Sequence, residues 1–303
     1  MQQAKAKTTA AEYPRINPYA ALVIAVVGIS FGSILAKLSD APALIIATYR
    51  NAFATLILLP FALTTCRKEL RSIGAKDFLA ASTAGMFLAF HFATWIKSLE
   101  YTTVASSTVL VTLQPIFVVL GSVFVLKERV GKKALAAGSL AVVGSIIIGA
   151  GDFAIGGSAL WGDFLALSGA LFIAVYVLIG RSLRQRFSLV AYTFIVYGFC
   201  SLFLFMMDFI FSVKLYPYSL YNWLLFWAMA LIPTTVGHTL LNWALKYLPA
   251  PTVSVSVLGE PVGASILAAI FLGEYPGAAQ LVGSMLILTG VYFFMKFSRE
   301  EGT

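Results

Sequence analysis

The sequence predicts an all-α integral membrane protein whose ten transmembrane helices form two inverted five-helix repeats. Three observations predict it: composition, the spacing of apolar runs, and an internal repetition. Of 303 residues, 60% are hydrophobic and 11% charged, with a mean hydropathy of +0.90, more apolar surface than a water-soluble domain can hide. Apolar runs long enough to cross about 30 Å of hydrocarbon lie at 19–37, 43–65, 77–97, 102–125, 132–150, 161–180, 188–210, 221–244, 250–272 and 277–296. Leu99, Tyr101, Val109, Pro115, Leu126, Glu128, Gly131 and Gly144 reappear 146 positions later as Leu245, Tyr247, Val255, Pro261, Leu272, Glu274, Gly277 and Gly290. Apolar matches alone would carry little in such a chain; prolines, glutamates, tyrosines and glycines at one offset make a duplication.

The elements follow in order. The first run, at 19–37, is too long for a signal-peptide core and more spans follow it, so it reads as an uncleaved first helix. Polar or Gly/Pro-rich seams separate the rest: Asp40-Ala41-Pro42, Cys66 to Lys76, Lys127 to Lys133, Gly149 to Gly162, Arg181 to Arg186, Lys214 to Ser219 and Tyr275-Pro276-Gly277. The domain plan is a cytoplasmic tail at 1–17, a first repeat at 18–150, a connecting loop at 151–160, a second, inverted repeat at 161–296 and a cytoplasmic tail at 297–303.

Basic residues give the orientation, because Lys and Arg collect in cytoplasmic loops. With ten spans and a cytoplasmic amino terminus, the inner side receives Lys5, Lys7 and Arg15, then Arg67, Lys68, Arg71 and Lys76, then Lys127, Arg129, Lys132 and Lys133, then Arg181, Arg184 and Arg186, then Lys246, and finally Lys296 and Arg299. Lys37, Lys97 and Lys214 fall outside. The net charge of +8 therefore reflects membrane topology, and no nucleic-acid partner is expected. Five helices per copy is an odd number, so the second copy runs the opposite way across the bilayer. Inverted repeats suit alternating access, since two equivalent halves can exchange roles as inner and outer gate around a midplane site.

Two five-helix copies, each with a Leu-x-Tyr…Pro…Leu-x-Glu block, resemble the drug/metabolite transporter superfamily, in particular its EamA-type exporters, over about residues 18 to 296. The resemblance implies a ten-helix exporter of the cell (inner) membrane that moves amino acids, including aromatic ones, and related small metabolites out of the cell. It also implies a cavity framed by the first, third, fourth, sixth, eighth and ninth helices.

An ionisable group at mid-depth costs about 2.5–3.5 kcal/mol to insert, so it faces the bundle interior and is a functional candidate. The candidates are Arg50, His91, Trp95, Gln114, His238, Asn242 and Glu260. Glu260 precedes Pro261, whose missing donor frees carbonyls one turn earlier. An acid beside free carbonyls suits a substrate ammonium or a coupling proton; the alternative is a neutral or paired group that locks helices. Gln114 stands at the matching place before Pro115, without the charge. His91 and Trp95 are four residues apart and share a helix face, as do His238 and Asn242; each pair either lines the cavity or packs the bundle. Arg50, about eight residues into its helix, binds a carboxylate or snorkels to headgroups. Lys37 and Arg181 correspond at an offset of 144 and are expected to anchor helix ends to headgroups, while Glu128 and Glu274 are expected to brace helix ends within each repeat. Trp161, Trp223 and Trp227 read as interfacial belt residues, and Gly28-x-x-x-Gly32 and Gly259-x-x-x-Gly263 as close helix contacts, the second a hinge.

Cys66 and Cys200 lie far from other ligating side chains, so no metal or redox cofactor is expected. No Walker loop or His-Glu-x-x-His motif is present, which excludes the ATPases and proteases those motifs mark. The expected function is secondary export of amino acids by alternating access, with the lipid bilayer, a small-molecule substrate and a coupling proton as partners. The alternatives are a broad drug or cation efflux protein, or a sugar-phosphate or nucleotide-sugar antiporter, which would want more basic residues inside its spans than Arg50.

Overall fold

The protein, seen as a computed structural model, is described for residues 14, 16–102, 104–150, 157–273 and 275–301, and every regular element among these is helical. Nine helical stretches among the described residues are long and apolar enough to cross a bilayer: Pro18–Leu38, Ala43–Thr64, Ala75–Ser98, Ser107–Leu126, Ser158–Arg184, Leu189–Ile210, Leu220–Ala244, Ala250–Phe271 and Leu281–Glu300. Their large apolar side chains stay exposed on the outside of the bundle, among them Phe124, Phe209, Ile270 and Met285, as a lipid-facing surface requires.

Local chemistry sets the helix ends. Helix α1 (Pro18–Leu38) starts where the Asn17 side chain accepts from the Tyr19 amide, with Pro18 in the first turn. Helices α2 (Ala43–Thr64) and α4 (Ala75–Ser98) flank α3 (Arg67–Ser72), a polar helix inside the stretch read as a seam. Helices α5 (Val104–Val111) and α6 (Gln114–Gly121) lead into a π-helical turn, Ser122–Leu126, which ends where Lys127 turns left-handed at φ 56°. Helix α7 (Lys132–Ala150) follows, and α8 (Ser158–Arg184) starts three residues before the expected 161. Ser188 and Ser219 cap α9 (Leu189–Ile210) and α10 (Leu220–Met229). A π-helical stretch, Ala230–His238, joins α10 to α11 (Thr239–Ala244); α12 (Ala250–Ser256), α13 (Glu260–Phe271) and α14 (Ala278–Glu301) complete the chain. Most of the expected connecting loop, the tail before residue 14 and Glu274 lie outside the described residues.

The largest departure from the sequence reading concerns two runs expected to be continuous. The fourth breaks at Thr112 and Leu113, between α5 and α6, and the ninth at the 3₁₀ turn Val257–Gly259, between α12 and α13. Each second half opens on the residue before a proline, Gln114 before Pro115 and Glu260 before Pro261. Proline lacks the amide that would close the preceding turn, so the hydrogen-bond ladder is interrupted at two positions 146 residues apart. Pro233 has a similar effect in the eighth run, where the wider π-helical turn accommodates it.

Helix pairing repeats the internal homology. The main partners are α7 with α14, α4 with α8, and α2 with α9. A Cβ on Gly144 would stand 2.6 Å from the Gly283 carbonyl oxygen, and one on Gly290 would stand 2.7 Å from that of Ala137. Residues 137 and 283, like 144 and 290, are 146 apart, so this contact is reciprocal between the copies. Both Gly-x-x-x-Gly pairs serve α1: Gly28 meets the Gly237 backbone and Gly32 the Trp95 ring, while Gly259 and Gly263 meet Val26 and Ser30.

Candidate functional site

All seven polar and aromatic residues singled out from the sequence line one cavity at the centre of the bundle. Arg50 comes from α2, His91 and Trp95 from α4, and Gln114 and Glu260 from the first positions of the half-helices α6 and α13. His238 and Asn242 come from the π-helical stretch and α11. The helix breaks position the two matched residues: an unbroken helix would bury Gln114 and Glu260 mid-ladder, whereas each now heads a half-helix at the cavity wall.

Arg50 is 1% exposed, and its guanidinium sits 4.1 Å from the centroid of the Phe92 ring, a cation–π contact that partly compensates for lost water. Nε donates to Thr234 Oγ1 at 3.1 Å, and that hydroxyl in turn donates to the Met229 carbonyl. Nη1 is buried with no partner. Among the described residues the ion pairs are Lys97–Glu100, Arg181–Glu128 and Arg186–Asp77, so Arg50 and Glu260 share the cavity without pairing with each other.

The remaining walls are aromatic. The His91 ring stacks on Trp95 at 5.9 Å between centroids and 10° between planes, and His91 Nδ1 donates to the Gly169 carbonyl at 3.0 Å. Phe92 meets His238 edge-on. Asn242 Nδ2 donates to the Tyr176 hydroxyl at 2.5 Å and to the His238 carbonyl. Trp95 Nε1 and Gln114 Oε1, like Arg50 Nη1, are buried without partners. Leaving a buried polar atom unpaired costs about 1–3 kcal/mol, and these three belong to residues that line one cavity.

The cavity leaves about 50 Å³ for the centres of water-sized molecules, room for a few waters at roughly 10–15 Å³ each. It is small, and side-chain contacts join helices at both ends of the bundle. At one end Arg181 Nε pairs with Glu128 at 2.7 Å, Arg181 Nη1 donates to the Leu245 carbonyl at 2.6 Å, and the Ala250 amide donates to Glu128. Arg186 there pairs with Asp77. At the other end Lys37 donates to the Leu99 carbonyl, Ser39 donates to Asn222 Oδ1, and the Asn222 amide donates to Asp40.

These contacts change the expected roles of several residues. Lys37 and Arg181 reach the last carbonyls of neighbouring helices, a use basic side chains have at helix C-termini, where headgroup anchoring was expected. Glu128 braces across the duplication, from the first copy to Arg181 and Ala250 of the second, rather than within its own copy. Trp161 and Trp227 are exposed as belt residues would be, and Trp223 is half-buried in a cluster with Tyr49, Phe53 and Phe226. The sequence reading missed Tyr176 and Thr234, because a lone hydroxyl in an apolar run carries no pattern.

The model of the EamA-like transporter family matches the chain twice, over residues 17–150 and 160–296. An uncharacterized transporter of Archaeoglobus fulgidus is 26% identical over 279 residues, 90% of this chain and 94% of that one. The Bacillus subtilis uncharacterized transporters YxxF and YetK are 24% and 26% identical, covering 86% and 92% of this chain and 84% and 86% of their own. A crystal structure with 17% identity superposes with a TM-score of 0.76, covering 94% of this chain and 99% of that one; at that identity the likeness concerns the fold alone.

Proposed function

The chain belongs to the EamA-like transporter family, a multi-pass membrane transporter family, and from that premise we propose that it exports amino acids, aromatic ones included, and related small metabolites by alternating access. In this reading α7 completes a set of ten spans, the two matched segments are inverted five-helix repeats, and both termini face the cytoplasm of a cell in whose inner membrane the protein sits.

The observation that carries the reading is the pairing of opposite charges without contact: Arg50 and Glu260 face one cavity and form no ion pair. A zwitterion would meet both. Its carboxylate suits Arg50 Nη1 and Trp95 Nε1, both donors without partners; its ammonium suits Glu260 and the free Gln114 Oε1. The stacked His91 and Trp95 rings offer a flat face to an aromatic side chain, with His238 and Asn242 closing the opposite wall. A cationic drug would leave Arg50 unmatched, and a sugar phosphate would leave Glu260 facing a like charge.

Because the cavity holds only a few waters, substrate enters after the Arg181–Glu128 end opens toward the cytoplasm and leaves after the Lys37 end opens outward. The broken helices supply the moving parts, since half-helices meeting at the midplane can tilt separately. The energy source is a gradient; proton coupling through Glu260 is part of this proposal.

Counterflow into liposomes carrying the purified protein tests the reading. Labelled phenylalanine is expected to exchange with internal unlabelled amino acids. Transport confined to phosphorylated compounds or to cationic drugs would overturn it.

A further inference from the structure

One buried carboxylate belongs to no part of the cavity. Asp208, near the end of α9, is 0% exposed, and its Oδ2 accepts from Thr48 Oγ1 of α2 at 2.6 Å. Its Oδ1 has no partner. Asn51, one turn from Thr48, is also 0% exposed: its Nδ2 donates to the Ala47 carbonyl at 2.9 Å and its Oδ1 has no partner.

Asn51 shares a helix stripe with the residue that clasps Asp208. Thr48, Asn51 and Thr55 follow an i, i+3, i+7 stripe on α2. Both ends of that stripe touch α9: Thr48 at Asp208, and Thr55 beside Gly198, where an added Cβ would stand 3.7 Å from its methyl carbon. Asn51 lies between them on the same stripe and is fully buried.

The surroundings supply neither a donor nor a countercharge. Tyr49 of α2 and Tyr218 of the loop after α9 are the titratable groups facing Asp208; their hydroxyls are committed to the carbonyls of Leu215 and Lys214. Arg50 points away, to Thr234 and Phe92, and among the described residues no basic side chain lies within ion-pair distance of Asp208. A trapped water donating to the free Asp208 oxygen would leave the carboxylate charge uncompensated, which burial makes expensive. A small cation meets both needs.

We propose that Asp208 and Asn51 form a monovalent-cation site in the α2–α9 seam, separate from the substrate cavity, taking either a proton or Na⁺. Both ligands share the relevant chemistry: each neutralises Asp208 and satisfies its free oxygen, with Asn51 Oδ1 as the proposed second acceptor. Arg50 sits on α2 between Thr48 and Asn51 and lines the cavity, so ordering of this stretch of helix by the cation reaches the substrate site directly.

Two readouts test the site. In the first, the melting temperature of the purified full-length protein is followed as NaCl replaces choline chloride at constant ionic strength, and as pH is varied without sodium. A ligand that binds only the folded state raises it. Wild type is expected to respond to one of the two titrations, identifying Na⁺ or the proton, and Asp208→Asn to lose that response. Asn51→Leu keeps the carboxylate and the Thr48 clasp, and is expected to shift the midpoint of the response to higher cation concentration. This covers the case in which Asp208→Asn does not fold.

In the second readout, an imposed Na⁺ or pH gradient drives labelled phenylalanine into proteoliposomes. Asp208→Asn is expected to lower gradient-driven accumulation roughly tenfold, within the range of coupling between linked sites, while gradient-free counterflow persists. A wild-type melting temperature indifferent to both cations, or Asp208→Asn responding as wild type does, would overturn the site. The thermal arm needs no substrate, so it separates failure of this site from failure of the amino-acid reading.

Discussion

Replacing Glu128 by Gln tests whether the Arg181–Glu128 clasp holds one gate shut. The carboxylate accepts two charge-assisted hydrogen bonds, from Arg181 Nε at 2.7 Å and from the Ala250 amide at 3.1 Å, and both side chains of the pair are mostly buried, at 20% and 16% exposure. Charge-assisted bonds are worth about twice neutral ones, roughly 1.5–3 against 0.5–1.5 kcal/mol. Glutamine keeps one acceptor oxygen, so it retains a neutral version of one bond. Part of the loss is recovered when the charges of the open state are hydrated. The net effect on the closed state is about 1–2 kcal/mol, which shifts the ratio of open to closed molecules roughly 5- to 30-fold. The assay is alkylation, by an impermeant maleimide added from the side on which the clasp lies, of a cysteine placed at Thr112 on the cavity wall, with Cys66 and Cys200 replaced by Ser and Ala. Glu128→Gln should label faster by that factor, and Arg181→Gln should match it. Labelling at the wild-type rate in both variants would refute the gate assignment, because a contact that closes nothing can be cut without opening anything.

Other substitutions probe the cavity and the frame separately. Arg50→Gln should abolish counterflow of amino acids, and Arg50→Lys should fail to restore it, because the ammonium cannot reproduce both the Nε bond to Thr234 and the free Nη1. Trp95→Phe keeps the stacking face toward His91 but deletes the unpaired indole donor; removal of about 1.5 kcal/mol should raise the half-saturating phenylalanine concentration about tenfold. Gly144→Val drives side-chain atoms into the Gly283 carbonyl and should destabilise the protein by about 1–3 kcal/mol, seen as a lower melting temperature, whereas Val143→Leu on the exposed face next to it should change little.

The sequence made the spans and the cavity residues legible for a common reason. In a chain this apolar, polar side chains at mid-depth are rare, and a bilayer permits them only where they face protein; Arg50, His91, Gln114, His238, Asn242 and Glu260 were therefore marked before any geometry was known, and one cavity gathers them with Trp95. The repetition at an offset of 146 was equally visible, because some of its glycines and prolines answer packing and backbone needs: Gly144 and Gly290 sit at reciprocal contacts, and Pro115 and Pro261 stand in the first turn of the half-helices α6 and α13.

What stayed hidden depends on three-dimensional partners. Apolar periodicity continues through a broken helix, so the interruptions before Gln114 and Glu260 left only their prolines as a trace. Lys37 and Arg181 looked like headgroup anchors, since sequence locates a basic residue at a helix end without showing the neighbouring carbonyls of Leu99 and Leu245. Asp208 escaped notice because a carboxylate near the end of a span resembles a rim charge; its burial arises from α2 and from Thr48, more than 150 residues away in the chain.

The most direct test of the central claim is competition against phenylalanine counterflow by compounds that carry one end of the zwitterion. The account predicts that unlabelled phenylalanine competes, while phenethylamine, which lacks the carboxylate, and phenylpropionate, which lacks the amine, do not. Full competition by either compound would contradict the pairing of Arg50 with a carboxylate and Glu260 with an ammonium in one cavity.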